Sequence, residues 1–290
     1  MSECQFVSPL TVAEGLETIS RMDEDVAFLS GGTDLIIKLQ RGQLRPACLV
    51  DLSLIPELKF IKEVDGWVKI GSGTTFTQIS ESNLLREQAS CLSQAAAQVG
   101  SAQIRNRATI GGNIANASPA GDSLPALLVL DAWINIAGPQ GFRRVPFAQF
   151  QAEDGQGLQK KELITEIEFP IWKSHGRTQI TGAFGKIGSR TAVSIARLNM
   201  AAIVEYDAEE QRILNSRWSV GALGRIPFRL EELERGLQGK KVNSDFAEEV
   251  ADHLTTVVDR AIPGRASQEY KRQAIRGLAY DLLEDLIPKR

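Results

Sequence analysis

Two Gly-Gly pairs mark the positions in this chain where binding chemistry is most strongly indicated. The first lies in LSGGTD, residues 29–34, and the second in TIGGN, residues 109–113, about 80 residues later. Consecutive glycines allow successive backbone N–H groups to turn toward one point, which suits an anion such as phosphate. One such pair is usually only a turn. Two pairs, each beside hydroxyl residues and each followed by an aspartate, predict a long ligand whose diphosphate is held from two sides.

Longer segments around these pairs resemble one protein family. The segments LSGGTDL (residues 29–35), QIRNRATIGGNIANASPAGD (103–122) and KELITEIEFP (161–170) resemble the FAD-binding subunit of the molybdenum hydroxylases. That family includes xanthine dehydrogenase, carbon monoxide dehydrogenase, nicotinate dehydrogenase and 4-hydroxybenzoyl-CoA reductase. The likeness extends through almost the whole chain, and T-I-G-G-N followed by A-S-P-x-x-D is highly specific to the family. The resemblance implies FAD as the cofactor of this chain, with molybdopterin and iron–sulfur clusters expected on partner subunits only.

The resemblance also assigns the contacts with FAD. Residues 29–34 are expected to wrap the diphosphate, and the TIGGN element is expected to lie along the diphosphate and the ribityl-isoalloxazine side. The backbone of residues 163–164 is expected to contact the adenine. No residue is expected to be catalytic or to bind a metal. The positions expected to bind the cofactor are Leu29, Ser30, Gly31, Gly32, Thr33, Asp34, Ile104, Thr109, Gly111, Gly112, Asn113, Ser118, Asp122, Leu163, Ile164 and Lys186.

Three charged positions in this set have roles of their own. The carboxylate of Asp34 repels phosphate, so this residue is expected to cap the helix that follows. Asp122 is expected to accept hydrogen bonds from the sugar or adenine end of FAD, and its alternative role is an N-cap of the next helix. Lys186 matches a lysine that reaches the flavin ring system in relatives, where a cation stabilises negative charge on the reduced flavin. Its alternative is a solvated strand lysine.

The apolar positions and two departures from the family pattern leave part of the site open. Ile104 is expected to pack against the flavin or the core, and Leu163 and Ile164 cannot be told from core residues by sequence alone. Some relatives carry an aromatic residue stacked on the flavin just before the Q-I-R-N element, where this chain has QVGS (98–101). Others have a tyrosine after the matching lysine, where this chain has GSRTAVS (188–194). The residues that shield the flavin faces, and the access for NAD, therefore stay open.

The composition restricts the class of function. The chain has 290 residues, is 43% hydrophobic and 24% charged, and carries a net charge of −3. No basic patch indicates a nucleic-acid partner, and neither a signal peptide nor a membrane span is predicted, so a cytoplasmic protein is expected. The cysteines, Cys4, Cys48 and Cys91, show no ligand spacing, and neither His175 nor His253 lies in a Gly-rich element. The missing ligands and acid–base groups indicate that a cofactor carries the chemistry.

The elements that must position these residues predict an α+β fold. Strands are predicted over residues 26–29, 48–51, 67–70, 133–137, 163–169, 182–187, 198–206 and 217–223. Helices are predicted over residues 11–20, 34–41, 87–98, 124–130, 244–260 and 267–287, and residues 138–157 are predicted to be rich in loops. The resemblance implies an FAD-binding domain of the PCMH or vanillyl-alcohol-oxidase type over residues 1–175, with subdomains at about 1–58 and 59–175. A small C-terminal domain of the CO dehydrogenase flavoprotein type, an antiparallel sheet plus helices, is expected over residues 176–290.

The function that the resemblance implies is electron transfer. Electrons from substrate oxidised at molybdopterin on one partner subunit would cross iron–sulfur clusters on another and reach the FAD of this chain. The interpretation we favour is a xanthine or purine dehydrogenase with NAD as the acceptor, assembled as a dimer of heterotrimers. The alternatives are the flavin subunit of a CO, nicotinate, aldehyde or aromatic-CoA-converting relative, or a stand-alone flavin- or nucleotide-binding module without redox partners. Alone, the chain is not expected to oxidise substrate.

Overall fold

The computed structural model of the chain describes residues 4–22, 25–152, 157–174 and 176–287. The chain divides into two compact units. Unit 1 comprises Met1–Leu84, Ser101–Ala117 and Asp131–Pro170, and unit 2 comprises Leu85–Gly100, Ser118–Leu130 and Ile171–Arg290. Each unit is therefore built from segments that are not adjacent in sequence. The predicted domain boundary near residue 175, and His175 with it, lie outside the described residues.

Short strands and helices alternate in the first part of the chain, and long strands precede long helices in the last part. The strands are β1 (Gln5–Val7), β2 (Val26–Leu29), β3 (Cys48–Asp51), β4 (Ile61–Val64), β5 (Trp67–Gly71), β6 (Trp133–Gly138), β7 (Gly141–Pro146), β8 (Leu163–Pro170), β9 (Thr178–Gly188), β10 (Ala196–Asp207), β11 (Arg212–Gly221) and β12 (Phe228–Arg229). The α-helices are α1 (Val12–Ser20), α2 (Leu35–Gln40), α3 (Phe76–Glu81), α4 (Asn83–Gln88), α5 (Ser90–Ala97), α6 (Ala102–Arg105), α7 (Ile110–Asn116), α8 (Ser123–Val129), α9 (Phe147–Gln151), α10 (Glu231–Leu237), α11 (Phe246–Ala261) and α12 (Gln268–Leu286).

Unit 1 contains a small parallel sheet with the strand order β1-β3-β2. Helix α1 begins after Thr11, whose hydroxyl accepts a hydrogen bond from the Glu14 N–H (3.1 Å), as the T-x-x-E pattern predicts. Ile19 of this helix packs with Val50 of β3 and with Ile55 in one apolar cluster. Because β2 runs parallel to β3, the LSGGTD element follows β2 at the carboxyl edge of the sheet.

The second sheet of unit 1 is antiparallel, with the order β4-β5-β8-β6-β7. Its central strand β8 starts with Leu163 and Ile164 and buries Ile167 and Phe169. Strand β7 forms a hairpin with β6 through Gly141, at φ +107°, and α9 follows it. The prediction that residues 138–157 are rich in loops is therefore wrong over residues 141–151, because pairing with β6 determines the strand and no local apolar period indicates it, and residues 153–156 lie outside the described residues.

Unit 2 contains an antiparallel sheet with the order β12-β11-β10-β9. Helix α12 packs on β9 and β10, and α11 packs on α12. Gly185 of β9 makes room for α12, because a Cβ there would lie 2.4 Å from Leu278 Cδ1 and 2.5 Å from Leu282 Cδ1. The antiparallel sheet with its helices agrees with the predicted C-terminal α+β arrangement. Across the ranges that the structure describes, no helix is long and apolar enough to cross a bilayer.

Two elements differ from the sequence-based expectation. The predicted helix over residues 87–98 is instead the two helices α4 and α5, which are interrupted at Ala89 (φ −153°, ψ 52°). Helix α5 starts where the hydroxyl of Ser90 donates to the carbonyl of Gly182 (2.6 Å), a contact between residues 92 positions apart that no local pattern shows. The Gly-Gly pair of TIGGN lies within the first turn of α7, which begins after its N-cap Thr109.

Candidate functional site

The first Gly-Gly pair joins β2 to α2 and presents unpaired backbone donors. Gly32 has φ +75°, a left-handed conformation that glycine adopts without a steric cost. Gly31 lies against another segment, because a Cβ there would come within 2.1 Å of the Arg107 carbonyl oxygen. Within the described part of the chain, the N–H groups of Gly31, Gly32, Thr33 and Asp34 have no protein acceptor. Four consecutive unpaired donors of this kind suit an anion.

Neither Asp34 nor Asp122 caps the helix that follows it. Asp34 has a right-handed backbone (φ −105°, ψ −43°) and makes no side-chain hydrogen bond to the first turn of α2. An N-cap needs extended backbone so that its side chain can reach the first turn, so the predicted capping role of Asp34 is wrong. Asp122 likewise makes no capping hydrogen bond to α8, which removes the N-cap alternative for that residue.

The second Gly-Gly pair has donors that are already used. It lies in the first turn of α7, where the chain satisfies its own N–H groups. Ile110 donates to the Thr74 carbonyl (3.1 Å), Gly111 to the Ser72 carbonyl (2.9 Å), Gly112 to the Thr109 hydroxyl (3.2 Å) and Asn113 to the Thr109 carbonyl (3.0 Å). The N–H groups expected to be free are therefore unpaired at the first pair, while the expectation of free N–H groups is wrong for the second.

Packing explains why glycine stands at the second pair. A Cβ at Gly111 would lie 2.6 Å from the Cβ of Ser72 and 2.8 Å from its carbonyl oxygen. The absence of a side chain therefore lets α7 approach the backbone that follows β5. The hydroxyl oxygen of Thr109 lies 3.0 Å from that of Ser30, which connects the two Gly-Gly elements directly. One element thus contributes free donors, and the other contributes a close backbone approach.

A cleft of about 90 Å³ brings parts of both elements together in unit 1. This volume is well below the ~300–1,000 Å³ that encloses a whole organic ligand, so the cleft fits one part of a larger molecule. The lining residues come from both Gly-Gly elements, from the end of β5 and from the start of β8: Phe28, Ser30, Leu52, Ser72, Gly111, Gly112, Ala115, Leu158, Glu162, Leu163 and Ile164.

A larger groove of about 770 Å³ also lies in unit 1, and none of the predicted site residues lines it. Polar side chains that line it already have partners: Asn135 donates to Glu166 (2.9 Å), and Arg144 donates to Glu168 (2.5 Å) and stacks on the Trp133 ring at 4.2 Å. Polar groups that are already paired offer little to a ligand. The smaller cleft, beside unpaired donors, is the better candidate.

The predicted cofactor-binding residues of unit 1 differ in whether they line this cleft. Seven predicted residues belong to the two Gly-Gly elements but are not among the residues that line the cleft: Leu29, Gly31, Gly32, Thr33, Asp34, Thr109 and Asn113. Ile104, on α6, is 38% exposed and is not a core residue, so the core alternative for its packing is wrong. Leu163 and Ile164 are buried and also line the cleft, which sequence alone did not distinguish.

Unit 2 contains a buried ion pair formed by two of the predicted residues. Lys186 Nζ lies 2.6 Å from Asp122 Oδ2 and donates to the Gln98 carbonyl at 3.0 Å. Both charged side chains are 8% exposed, so the alternative of a solvated Lys186 is wrong. Burial raises the pKa of Asp122, and the neighbouring ammonium and the amide of Asn199 oppose that rise. Ser118, also in unit 2, accepts the Gly121 N–H through its carbonyl (2.8 Å).

Sequence reasoning missed Asn199 in this cluster. Its amide donates to Asp122 Oδ1 at 3.1 Å, and its side chain is fully buried on β10. The signal was an asparagine within the otherwise apolar run that follows Arg197. A buried amide in such a run needs a polar partner, which an alternation analysis does not assign.

The chemistry of unit 1 fits a segment of FAD. The unpaired N–H groups of residues 31–34 suit its diphosphate, and the buried side chains of Leu163 and Ile164 suit a flat apolar ring. The missing Cβ at Gly111, which lines the cleft, allows α7 to pack closely against Ser72, and the missing Cβ at Gly31 allows the first Gly-Gly element to pack against Arg107. The residues present therefore fit the group that the resemblance implies.

Comparison with known proteins gives matches along nearly the whole chain. A family model described as the FAD binding domain in molybdopterin dehydrogenase matches residues 2–172, and one described as the CO dehydrogenase flavoprotein C-terminal domain matches residues 183–286. The chain is 29% identical to the nicotinate dehydrogenase FAD-subunit of Eubacterium barkeri, over 99% of this chain and 97% of that one.

Two further relatives extend the comparison. The chain is 28% identical to the xanthine dehydrogenase FAD-binding subunit of Escherichia coli O157:H7, over 96% of this chain and 94% of that one. Among solved structures, carbon monoxide dehydrogenase from Hydrogenophaga pseudoflava matches with a TM-score of 0.85 at 24% identity, covering 98% of this chain and 97% of that one. This structural likeness shows a shared fold.

Proposed function

We propose a function from the premise that this chain belongs to the family of FAD-binding domains of molybdopterin dehydrogenases, completed by a CO dehydrogenase flavoprotein C-terminal domain. The predicted family, the predicted fold and FAD as the cofactor are thereby confirmed. The chain is the FAD-binding subunit of an oxidoreductase of the molybdenum hydroxylase family. Bound FAD supplies the redox chemistry, because a flavin exchanges electrons one or two at a time.

The unpaired donors of the first Gly-Gly element carry the proposal for where FAD binds. The N–H groups of residues 31–34 bind the diphosphate, because no protein acceptor among the described residues competes for them. The hydroxyl of Ser30 stands beside them, and Leu163 and Ile164 form the apolar wall that takes the adenine. The second Gly-Gly pair contributes close backbone packing. The other contacts of unit 1 in this proposal come from Leu29, Ile104, Thr109 and Asn113.

In unit 2, Ser118, Asp122 and Lys186 are proposed cofactor contacts. Within the unit, Asp122 holds the ammonium of Lys186 in one position, and Asn199 holds the carboxylate of Asp122. A cation fixed in this way, largely out of water, favours negative charge on a group placed beside it. We propose that this group is the flavin ring system.

The rest of the proposal concerns the complex. We propose that the chain assembles with an iron–sulfur subunit and a molybdopterin subunit, as a dimer of heterotrimers. The favoured substrate is xanthine or another purine, with NAD as the acceptor, and the xanthine dehydrogenase relative supports this choice. The nicotinate dehydrogenase relative is about equally similar, so nicotinate is the second candidate substrate.

The cofactor proposal is tested by the flavin content of the purified chain. We expect about one FAD per chain, identified after acid release by chromatography against FAD and FMN standards. A chain that binds neither flavin after titration with a large excess would overturn the proposed site.

The complex is tested by coexpression with the two proposed partner subunits, followed by size-exclusion chromatography and metal analysis. We expect one peak that contains all three chains, molybdenum and iron, and that reduces NAD when given xanthine. Turnover of nicotinate in place of xanthine would select the second candidate. Partners that assemble and transfer electrons to NAD without this chain would contradict its role.

A further inference from the structure

One wall of the cleft in unit 1 is a short irregular segment that leads into β8. We call residues 157–164 the wall segment. Leu158, Glu162, Leu163 and Ile164 from this segment line the cleft. Leu163 and Ile164 are held by the sheet, because they pair with Ala137 and Ile136 of β6. Residues 157–162 have no strand partner, and besides one backbone hydrogen bond, from the Glu162 N–H to the Gln159 carbonyl (3.2 Å), side-chain contacts hold them in place.

A bidentate ion pair holds residues 157–162 of the wall segment. Arg143 of β7 donates from Nε to Glu162 Oε1 (2.8 Å) and from Nη2 to Glu162 Oε2 (2.6 Å). The same Nη2 donates to the carbonyl of Gly157 (2.8 Å), and Glu162 Oε2 also accepts the N–H of Gln159 (2.8 Å). Arg143 therefore binds the wall segment at Gly157 and at Glu162. Its planar guanidinium fixes the direction of both contacts.

The geometry around this ion pair shows that the segment is held against strain. Lys161, between Gly157 and Glu162, has φ +64°, a left-handed conformation that costs a non-glycine residue about 1–2 kcal/mol. Its ammonium donates to the carbonyl of Met22. Gly138 leaves room for Glu162, because a Cβ there would lie 2.8 Å from Glu162 Cγ. Strained backbone of this kind persists only where its surroundings determine it fully, and it is frequent at ligand clamps.

We propose that Arg143 and Glu162 are positioning residues that hold the wall segment in the shape that accepts the adenosine end of FAD, and that they thereby set the preference of this chain for FAD over FMN. This inference rests on the proposed function. FMN lacks the adenosine monophosphate half of FAD. A loss of shape at this wall therefore weakens FAD binding and leaves FMN binding unchanged.

The charge state of the pair supports this role. Hydrogen bonds from Arg143 lower the pKa of Glu162, so its carboxylate is ionised and fully committed to its partners. A carboxylate in the lining of the cleft would otherwise repel an anionic cofactor, and the guanidinium neutralises that charge locally. The pair thus combines a rigid wall with a neutral surface toward an anionic cofactor.

The experiment compares FAD and FMN affinity in the full-length chain, after its flavin has been removed, by calorimetric titration of each flavin. The variants are Glu162→Ala and the milder Glu162→Gln and Arg143→Lys, which keep the volume or the charge. Arg229 and Glu234 in unit 2 provide a matched control, because they form the same fork (2.7 and 2.8 Å) with exposed fractions of 21% and 13%, against 26% and 13% for Arg143 and Glu162. Glu234 also accepts one backbone N–H, that of Trp218 (2.8 Å).

We expect the Glu162 and Arg143 variants to lose FAD affinity by about tenfold or more, the scale of one charge-assisted contact, and to keep FMN affinity within about twofold. Glu234→Ala should leave the ratio of the two affinities unchanged.

Two results would overturn the inference. Affinities for FAD and FMN that fall by the same factor in the Glu162 and Arg143 variants would show a merely structural role. Unchanged affinities would show no role. If Glu162→Ala does not fold, the ratio of FAD affinity to FMN affinity in Glu162→Gln and Arg143→Lys decides between these outcomes. A wild-type chain that binds no FAD fails the proposed function itself, and one that binds FAD while every variant keeps its preference fails only this inference.

Discussion

Gly31-Gly32 and Gly111-Gly112 are the same dipeptide in the same unit, yet their backbones are used differently. At the first pair, four consecutive N–H groups have no acceptor among the described residues, and Gly32 adopts φ +75°. At the second, every N–H of the first helical turn has a protein acceptor. Gly111 is instead placed where a Cβ would lie 2.6 Å from the Cβ of Ser72.

The difference shows that a Gly-Gly pair predicts two separate properties. Glycine permits unusual backbone angles, which can expose donors, and it permits close approach of a second segment, which can consume them. The first pair uses both properties, the former at Gly32 and the latter at Gly31, whereas the second pair uses only the latter, at Gly111. Substitutions should therefore affect cofactor binding at the first pair and folding at the second.

The largest effect is expected at the ion pair of Lys186 and Asp122 in unit 2, because both charged side chains are only 8% exposed. In Lys186→Met the carboxylate of Asp122 loses its charged partner and keeps only the Asn199 amide, which should lower the free energy of unfolding by about 3–5 kcal/mol near pH 8. Burial already raises the pKa of Asp122, and the variant removes an opposing charge. The folded state then binds the proton more tightly than the unfolded state, so stability falls as pH rises and the loss shrinks toward pH 5.

Urea unfolding of the flavin-free chain between pH 5 and pH 8 measures this effect. The double variant Asp122→Asn with Lys186→Met serves as the control, since it removes the charge as well as its partner and should recover part of the stability at pH 8. A loss in Lys186→Met that does not change with pH would show that the pair is not the cause.

The next largest effect is expected at Gly31. In Gly31→Ala the new Cβ would lie 2.1 Å from the carbonyl oxygen of Arg107, so the two backbone segments must separate and the donors of residues 31–34 must move. Loss of two hydrogen bonds to a charged diphosphate, at ~1.5–3 kcal/mol each, should weaken FAD binding by about 100-fold or more. Calorimetric titration with FAD measures this, with phosphate-free riboflavin as the control ligand. Equal losses for both ligands would place the diphosphate elsewhere.

In contrast to Gly31→Ala, the variant Gly111→Ala should reduce stability and leave FAD affinity nearly unchanged. Its Cβ would clash with Ser72, so the free energy of unfolding should fall by about 1–3 kcal/mol, as for an overpacked core. The FAD affinity of the protein that remains folded should change by less than about threefold, because the N–H of Gly111 already donates to Ser72. Thermal unfolding and titration below the transition separate the two quantities. A folded Gly111→Ala chain that has lost FAD would reverse the roles of the two pairs.

The bond between the two elements gives a smaller effect. Ser30→Ala and Thr109→Val each remove one hydroxyl of the 3.0 Å contact, and Thr109→Val also removes the N-cap of α7. We expect a loss of about 1 kcal/mol for the cap, and a coupling of about 0.5–1.5 kcal/mol in a double-mutant cycle on the free energy of unfolding. Additive effects of the two substitutions would mean that the contact contributes nothing.

The smallest effect is expected at Gly112. A Cβ there meets only the Thr109 hydroxyl at 3.0 Å, and the residue lies within a helix, where alanine is favoured over glycine by about 1 kcal/mol. These effects oppose each other, so Gly112→Ala should change stability by no more than about 0.5 kcal/mol and leave FAD affinity unaltered. The variant is thus the matched control for Gly111→Ala in both measurements. A loss of FAD here would mean that the space beside Gly112 is needed by the cofactor.

The sequence predicted the elements that depend on local pattern. The apolar run over residues 26–29 gave the bounds of β2 correctly, and the helix predicted from Thr11 has Thr11 as its N-cap, with the expected hydrogen bond from the Glu14 N–H. The free donors of the first Gly-Gly pair also follow from local conformation, because φ +75° at Gly32 is a property of glycine itself. The cofactor followed from motifs, through the resemblance.

What the sequence did not predict depends on contacts between distant residues. The N–H of Gly111 is taken by Ser72, 39 positions earlier, so nothing within TIGGN indicates that its donors are used. The partners of Asp122 are Lys186 and Asn199, which are 64 and 77 positions away. The resemblance gave Asp122 a contact with the sugar or adenine end of FAD, and the local pattern gave it a cap, because neither could pair it with residues of two later strands.

The central claim is that FAD binds its diphosphate through the N–H groups of residues 31–34, and it can be read directly from the backbone amides. Two-dimensional 1H–15N NMR spectra of the flavin-free chain, recorded before and after addition of FAD and then of riboflavin, report on each amide in turn. We expect downfield proton shifts at Gly31, Gly32 and Thr33 with FAD and not with riboflavin, and only small shifts at Gly111 and Gly112. Phosphate-dependent shifts confined to the second pair would contradict the account.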